Sequence, residues 1–316
     1  MILTDYFRYP RDMTWDYARQ LGVTQGTIRL PETADFDITD ESHWAAVCRD
    51  FEDFGIKPAV VEPLPNELHD HIKAGDALRD VSIEKCIRML ALMDRFDIRT
   101  LCFNFMAHIG WTRTRRDIPE RGGAQVTGFS LREFAADTVP MTEEALWDNY
   151  TYFIRAVLPY AEKYGIRLAL HPDDPPLPKL GDTARIMISY ENIRHAVREI
   201  ADSPALGVTF CQACYYLMGE DLFRVIPEFA DKIFFIHFRN VRGVKTEFHE
   251  TFHDNGSLPM AKLLRLYTDC GIDVPIRVDH VPTMVGETSV NAGYDIIGRL
   301  YAIGYLKGIL EACETT

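Results

Sequence analysis

The chain has 316 residues, 47% of them hydrophobic, and a formal net charge of −13. That length can bury a large core and suits one barrel-sized domain over residues 1–316, while the acidic balance argues against nucleic acid as a partner, because gripping a phosphate backbone needs clustered Lys and Arg. No stretch reaches the roughly 18 apolar residues of a membrane span and the opening MILTDYFRYPRD lacks an apolar secretory core, so a cytoplasmic protein without a membrane partner is expected.

In chain order, a first strand is expected at residues 3–8, followed by a helical stretch at 14–21. Seven further runs are apolar, rich in β-branched or aromatic residues and bounded by Gly, Pro or charge: 26–30 (GTIRL), 58–62 (PAVVE), 100–105 (TLCFNF), 167–171 (RLALH), 207–211 (GVTFC), 233–238 (IFFIHF) and 275–280 (PIRVDH). Between them lie helix-length segments at 41–54, 81–96, 142–164, 190–201, 220–230 and 258–270, with Gly55, Gly165 and Gly271 at or just past three of their ends. Unbroken apolarity in the strands suits a parallel sheet covered by helices, and eight strand–helix units are the number that closes a (β/α)₈ TIM barrel of the α/β class. A doubly wound open sheet fits less well, since no GxGxxG follows the first strand and no phosphate-binding loop appears. The seven cysteines, an odd number spread from Cys48 to Cys313, are read as buried reduced thiols rather than as a disulfide framework.

Strands five to eight end on His171, Cys211, His237 and Asp279. In a barrel these four project at the C-terminal rim, where chemistry is built because the loops vary while the packed interior stays fixed. Two imidazoles, a thiol and a carboxylate converging from consecutive strands make a credible site for a divalent metal.

The stretches CFNFMAHIGWTRT (102–114), LALHPDDPPLPKLG (168–181), IHFRN (236–240), TEFHETFHDNG (246–256), RVDH (277–280) and NAGYDIIGRLYAIGYLKG (291–308) resemble the mannonate dehydratase family. The resemblance runs over nearly the whole chain, and HPDDPP is its most specific mark. It implies a xylose-isomerase-like TIM barrel that binds Mn²⁺ or a similar divalent ion through His171, Cys211, His237 and Asp279. Ligand type alone would equally allow Fe²⁺, Co²⁺ or Zn²⁺. It further implies loss of water from D-mannonate to give 2-keto-3-deoxy-D-gluconate, with His280 and Tyr294 as proton-transfer groups. After Cys211 the family usually shows a small polar turn, whereas this chain continues Gln212, Ala213, Cys214, Tyr215, Tyr216, which leads to the expectation of bulkier groups facing the site.

An anionic substrate needs donors in an acidic chain. Arg8, Arg113 and Arg239 lie at or just past strand ends and are candidates for a bidentate grip on a carboxylate, with Asn104, Trp111 and His253 lining the same mouth. Asp173 and Asp174 are read as rim groups stiffened by the following prolines. The partner is thus a small sugar acid, with homo-oligomerisation left open. A metal-dependent sugar isomerase or epimerase on the same barrel is the alternative, and a barrel that keeps the metal without catalysis is a third; a basic-faced endonuclease is disfavoured by the −13 charge.

Overall fold

In the computed structural model, which describes residues 1–288 and 291–314, eight parallel strands close into a barrel. They are β1 (Ile2–Phe7), β2 (Gln25–Ile28), β3 (Lys57–Val61), β4 (Thr100–Phe103), β5 (Arg167–Leu170), β6 (Leu206–Cys211), β7 (Ile233–Phe238) and β8 (Pro275–Val278). Each of the eight expected strands is present within about three residues of its sequence bounds, and β1 pairs with both β2 and β8 to close the ring. The bore is packed rather than hollow: Val60, Cys102, Ala169, Phe234 and Phe235 form a buried cluster of their own, separate from the layer between strands and helices.

The helices form where the apolar spacing and caps call for them. Glu41–Phe54 starts on Asp40, whose carboxylate accepts hydrogen bonds from the Ser42 and His43 amides, and ends at Gly55 with φ 81°, a left-handed conformation that favours glycine. Glu143–Tyr164 is bracketed in the same way by Thr142 and Gly165. Asp40 thus serves as the entrance of this helix. All seven cysteines are free thiols, six of them buried.

One layer of structure has no counterpart in the sequence reading. A four-stranded antiparallel sheet is assembled from Arg115–Pro119 and Gln125–Ser130, in the loop after β4, and Val241–Val244 and Glu247–Glu250, in the loop after β7. The two halves join through Glu247 opposite Ser130 and Phe248 opposite Phe129. This sheet carries Glu250 from the β7 loop onto the histidine at the end of β8. No described helix is long and apolar enough to cross a membrane.

Candidate active site

A cavity of about 490 Å³ opens at the C-terminal rim, and His171, His237, Asp279, His280 and Tyr294 all line it. Strand register explains the convergence. Cys211 on β6 pairs with His237 on β7, and His237 pairs with Arg277 on β8, so three polar side chains stand in one row across the interior. Two residues beyond Arg277, on the same face of the alternating strand, comes Asp279. The ligand atoms of Cys211, His237 and Asp279 lie within 4.8 Å of one another, and His171 Nε2 is 3.2 Å from His237 Nδ1.

The imidazoles are positioned by their neighbours. His171 Nδ1 sits 2.6 Å from the Pro172 carbonyl, which accepts its hydrogen, and His237 Nε2 forms an ion pair with Glu62 Oε1 at 3.0 Å. Burial and the Arg277 charge oppose protonation of His237, but Glu62 and Asp279 outweigh them and raise its pKa to about 8. His171 Nε2 and His237 Nδ1 lie 3.2 Å apart, close enough to share one proton or to ligate one cation. Burial opposes ionisation of Cys211, but the Cys214 thiol, the Arg239 guanidinium and the two imidazoles outweigh it and hold the Cys211 thiol well below its ordinary range. Burial likewise opposes ionisation of Asp279, and His280, Arg277, His237 and Arg239 depress its carboxyl pKa. A thiolate, a carboxylate and two imidazoles, which give up any extra proton on ligation, are a donor set that fits a divalent ion.

Around these donors is a set of buried ion pairs that the sequence reading largely missed. Glu62 receives Arg277 through two hydrogen bonds of 2.8 and 2.9 Å and faces His237 Nε2 in an ion pair at 3.0 Å, and Arg277 Nη1 is 3.0 Å from Asp279. The only signal for Glu62 is a charged residue closing an apolar strand. Glu250 collects Arg113, Arg239 and His280 on a single oxygen, at 2.5, 2.5 and 3.1 Å. His280 is thereby fixed at both nitrogens, since its Nε2 lies 3.1 Å from the Tyr294 hydroxyl.

Three of the six expected substrate contacts change role. Arg113 makes two hydrogen bonds to Asp174 and one to Glu250, with its side chain 1% exposed, and Arg239 is fully buried against Asp174, Glu250, Asp279 and both sulfurs of Cys211 and Cys214. Clamped between buried carboxylates, neither guanidinium lines the cavity; they stand in the wall behind it. His253 is fully buried, bonds the Phe238 carbonyl, and is held to a low pKa of about 4 chiefly by burial. Arg8, Asn104 and Trp111 do line the cavity. Arg116, also at the cavity, joins Arg8 as a lining guanidinium without a carboxylate partner among the described residues. Tyr215 is not at the mouth either: it is fully buried and stacks on Phe210 with ring centroids 4.2 Å apart.

Arg113→Met is expected to lower stability by about 3–5 kcal/mol, because it strips one cation from two buried carboxylates. Urea unfolding followed by circular dichroism measures it; a loss under about 1 kcal/mol would mean that Arg113 is free to serve the ligand after all.

The family model described as D-mannonate dehydratase (UxuA) matches residues 5–140 and 130–316. The chain belongs to the D-mannonate dehydratase family. Among its members, the mannonate dehydratase of Oceanobacillus iheyensis is 32% identical over 311 residues, covering 88% of this chain and 87% of that protein. Mannonate dehydratase 2 of Halalkalibacterium halodurans is 30% identical, with 95% of each chain covered. The solved structure of mannonate dehydratase from Streptococcus suis serotype 2 has a TM-score of 0.91 at 26% identity, over 100% of this chain and 94% of that one. A xylose isomerase domain protein from Planctomyces limnophilus has a TM-score of 0.64 at 11% identity, covering 99% of this chain and 97% of that one, a likeness of barrel fold alone.

Proposed function

We propose that the chain is a metal-dependent hydro-lyase that converts D-mannonate to 2-keto-3-deoxy-D-gluconate and water. What supports this reading most is that His171, His237, Asp279, His280 and Tyr294 meet at one cavity, with Cys211 buried beside His237 and Asp279, in a member of this family. His171, Cys211, His237 and Asp279 would hold Mn²⁺ or a similar divalent ion, which when bound supplies a Lewis acid for the negative charge that builds up on substrate oxygen.

The reaction removes the proton from C2 and the hydroxyl from C3, and the resulting enol becomes the 2-keto acid. With Nδ1–H donated to Glu250, His280 presents Nε2 to the cavity as a proton acceptor and, once protonated, as an acid. Tyr294 lies within reach of both that nitrogen and Asp279 Oδ1, at 3.1 and 3.4 Å, and its hydroxyl can relay a proton to the departing oxygen. Trp111 packs its ring 4.8 Å from that of His280 and shields the pair from solvent.

Arg8, exposed at the mouth and bonded only weakly to Asn291 at 3.5 Å, is the proposed receptor for the substrate carboxylate, with Arg116 beside it. Arg8→Lys keeps the charge and loses the bidentate fork, so kcat/KM is expected to fall by the equivalent of about 1.5–3 kcal/mol, roughly one to two orders of magnitude. Wild-type kinetics in Arg8→Lys and Arg116→Lys alike would place carboxylate recognition elsewhere. The reading as a whole is tested with metal-loaded protein on a panel of hexonates, following 2-keto-3-deoxy acid release. Release from D-mannonate supports it, and epimerisation without dehydration refutes it.

A further inference from the structure

Cys211 and Cys214 stand in C-x-x-C spacing where β6 runs directly into the short helix Gln212–Met218, with Cys211 at its N-cap position. One helical turn separates the two residues, so both sulfurs point to the same side of the turn. His171, Cys211 and Cys214 offer three ligand atoms within 4.8 Å of one another, and Cys211 also belongs to the group with His237 and Asp279. Both thiols are fully buried, and Arg239 spans them, its Nε 3.3 Å from Cys211 Sγ and a terminal nitrogen 3.2 Å from Cys214 Sγ. The same guanidinium also meets Asp279, so it bridges both sulfurs to a proposed donor carboxylate.

We propose that Cys214 is a second thiolate donor of the metal centre, and that this centre therefore takes a thiophilic divalent cation of the Zn²⁺ class in preference to Mn²⁺. The inference rests on the metal-centre reading above and adds a ligand to it. Two sulfurs chelating through one turn of helix favour a soft or borderline ion, whereas Mn²⁺ prefers oxygen donors. Without an ion, burial and the neighbouring Cys211 hold the Cys214 thiol well above its ordinary range, so taking it as a ligand releases its proton.

The test uses Co²⁺ as an optical probe in the full-length protein, loaded without oxygen and with a non-thiol reductant. Sulfur-to-cobalt charge-transfer absorbance is expected to fall by about half in Cys214→Ser and, separately, by about half in Cys211→Ser, because each leaves one thiolate on the ion. Competition between Zn²⁺ and Mn²⁺, read by elemental analysis, should shift toward Mn²⁺ by at least about tenfold in Cys214→Ser. An unchanged band in Cys214→Ser together with complete loss in Cys211→Ser overturns the inference while the four-donor centre stands. Failure of the wild-type protein to bind Co²⁺ at all overturns both. Circular dichroism of each variant, with Cys214→Ala as a second replacement, separates loss of a ligand from loss of the fold.

Discussion

Replacing His280 by Asn or Tyr294 by Phe is expected to lower the turnover of D-mannonate by about 10²- to 10⁴-fold while leaving the metal content unchanged. Neither residue belongs to the donor set, and the distances show why they should act as one unit: Tyr294 hydroxyl to His280 Nε2 at 3.1 Å, and His280 Nδ1 to Glu250 at 3.1 Å. Groups in a single relay are not additive, so the double variant should be little slower than the slower single one. Asn suits the first replacement because its amide keeps a donor for Glu250 and spares the buried carboxylate an added unpaired charge. The measurement is kcat beside metal stoichiometry for the three variants. If both single variants keep wild-type turnover, the pair leaves the mechanism.

His237→Ala should behave differently, losing bound metal and activity together. This side chain offers Nδ1 to the donor cluster and Nε2 to Glu62, so its removal takes away a ligand and also the group on which Glu62 closes. Activity is expected to drop below detection and not to return at ordinary metal concentrations. Glu62→Gln gives the graded counterpart: the ligand stays but its orienting carboxylate loses charge, and metal affinity should weaken by about 10- to 100-fold with activity recoverable at higher metal. Chelation of the wild-type protein should abolish turnover reversibly. Elemental analysis of dialysed proteins, set beside rates across a metal titration, decides the matter. Full turnover in chelated protein would exclude a metal from the reaction.

The order of these effects follows from where each residue's chemistry is written in the chain. His171, Cys211, His237 and Asp279 close strands whose other residues are apolar, and a polar residue ending a buried strand is visible without coordinates. Arg113 and Arg239 carry the same kind of signal yet sit behind the cavity, because folding brings Asp174 to both and Glu250, 137 residues from Arg113, onto the same pair. Nothing local distinguishes an arginine that awaits a ligand from one that a glutamate will claim. Arg116, which no pattern in the sequence singles out, lines the cavity nonetheless.

The sequence by itself determined the eight-fold alternation of strand and helix, the glycines Gly55 and Gly165 that end two of the helices, and the four polar strand ends at the rim. Those features depend on apolar periodicity and on side chains within a few residues of one another, so a one-dimensional pattern contains them. Only the tertiary structure decided the antiparallel sheet that joins the loops after β4 and β7, since its short strands are largely exposed on one half and pair across more than a hundred residues, as Phe129 does with Phe248. That sheet brings Glu250 to His280, and with it the choice of which arginines are walls and which remain for the substrate. Register did the rest. Cys211, His237 and Arg277 share one row because their strands are hydrogen-bonded in that alignment, and a shift of one residue would turn each of them out of the barrel.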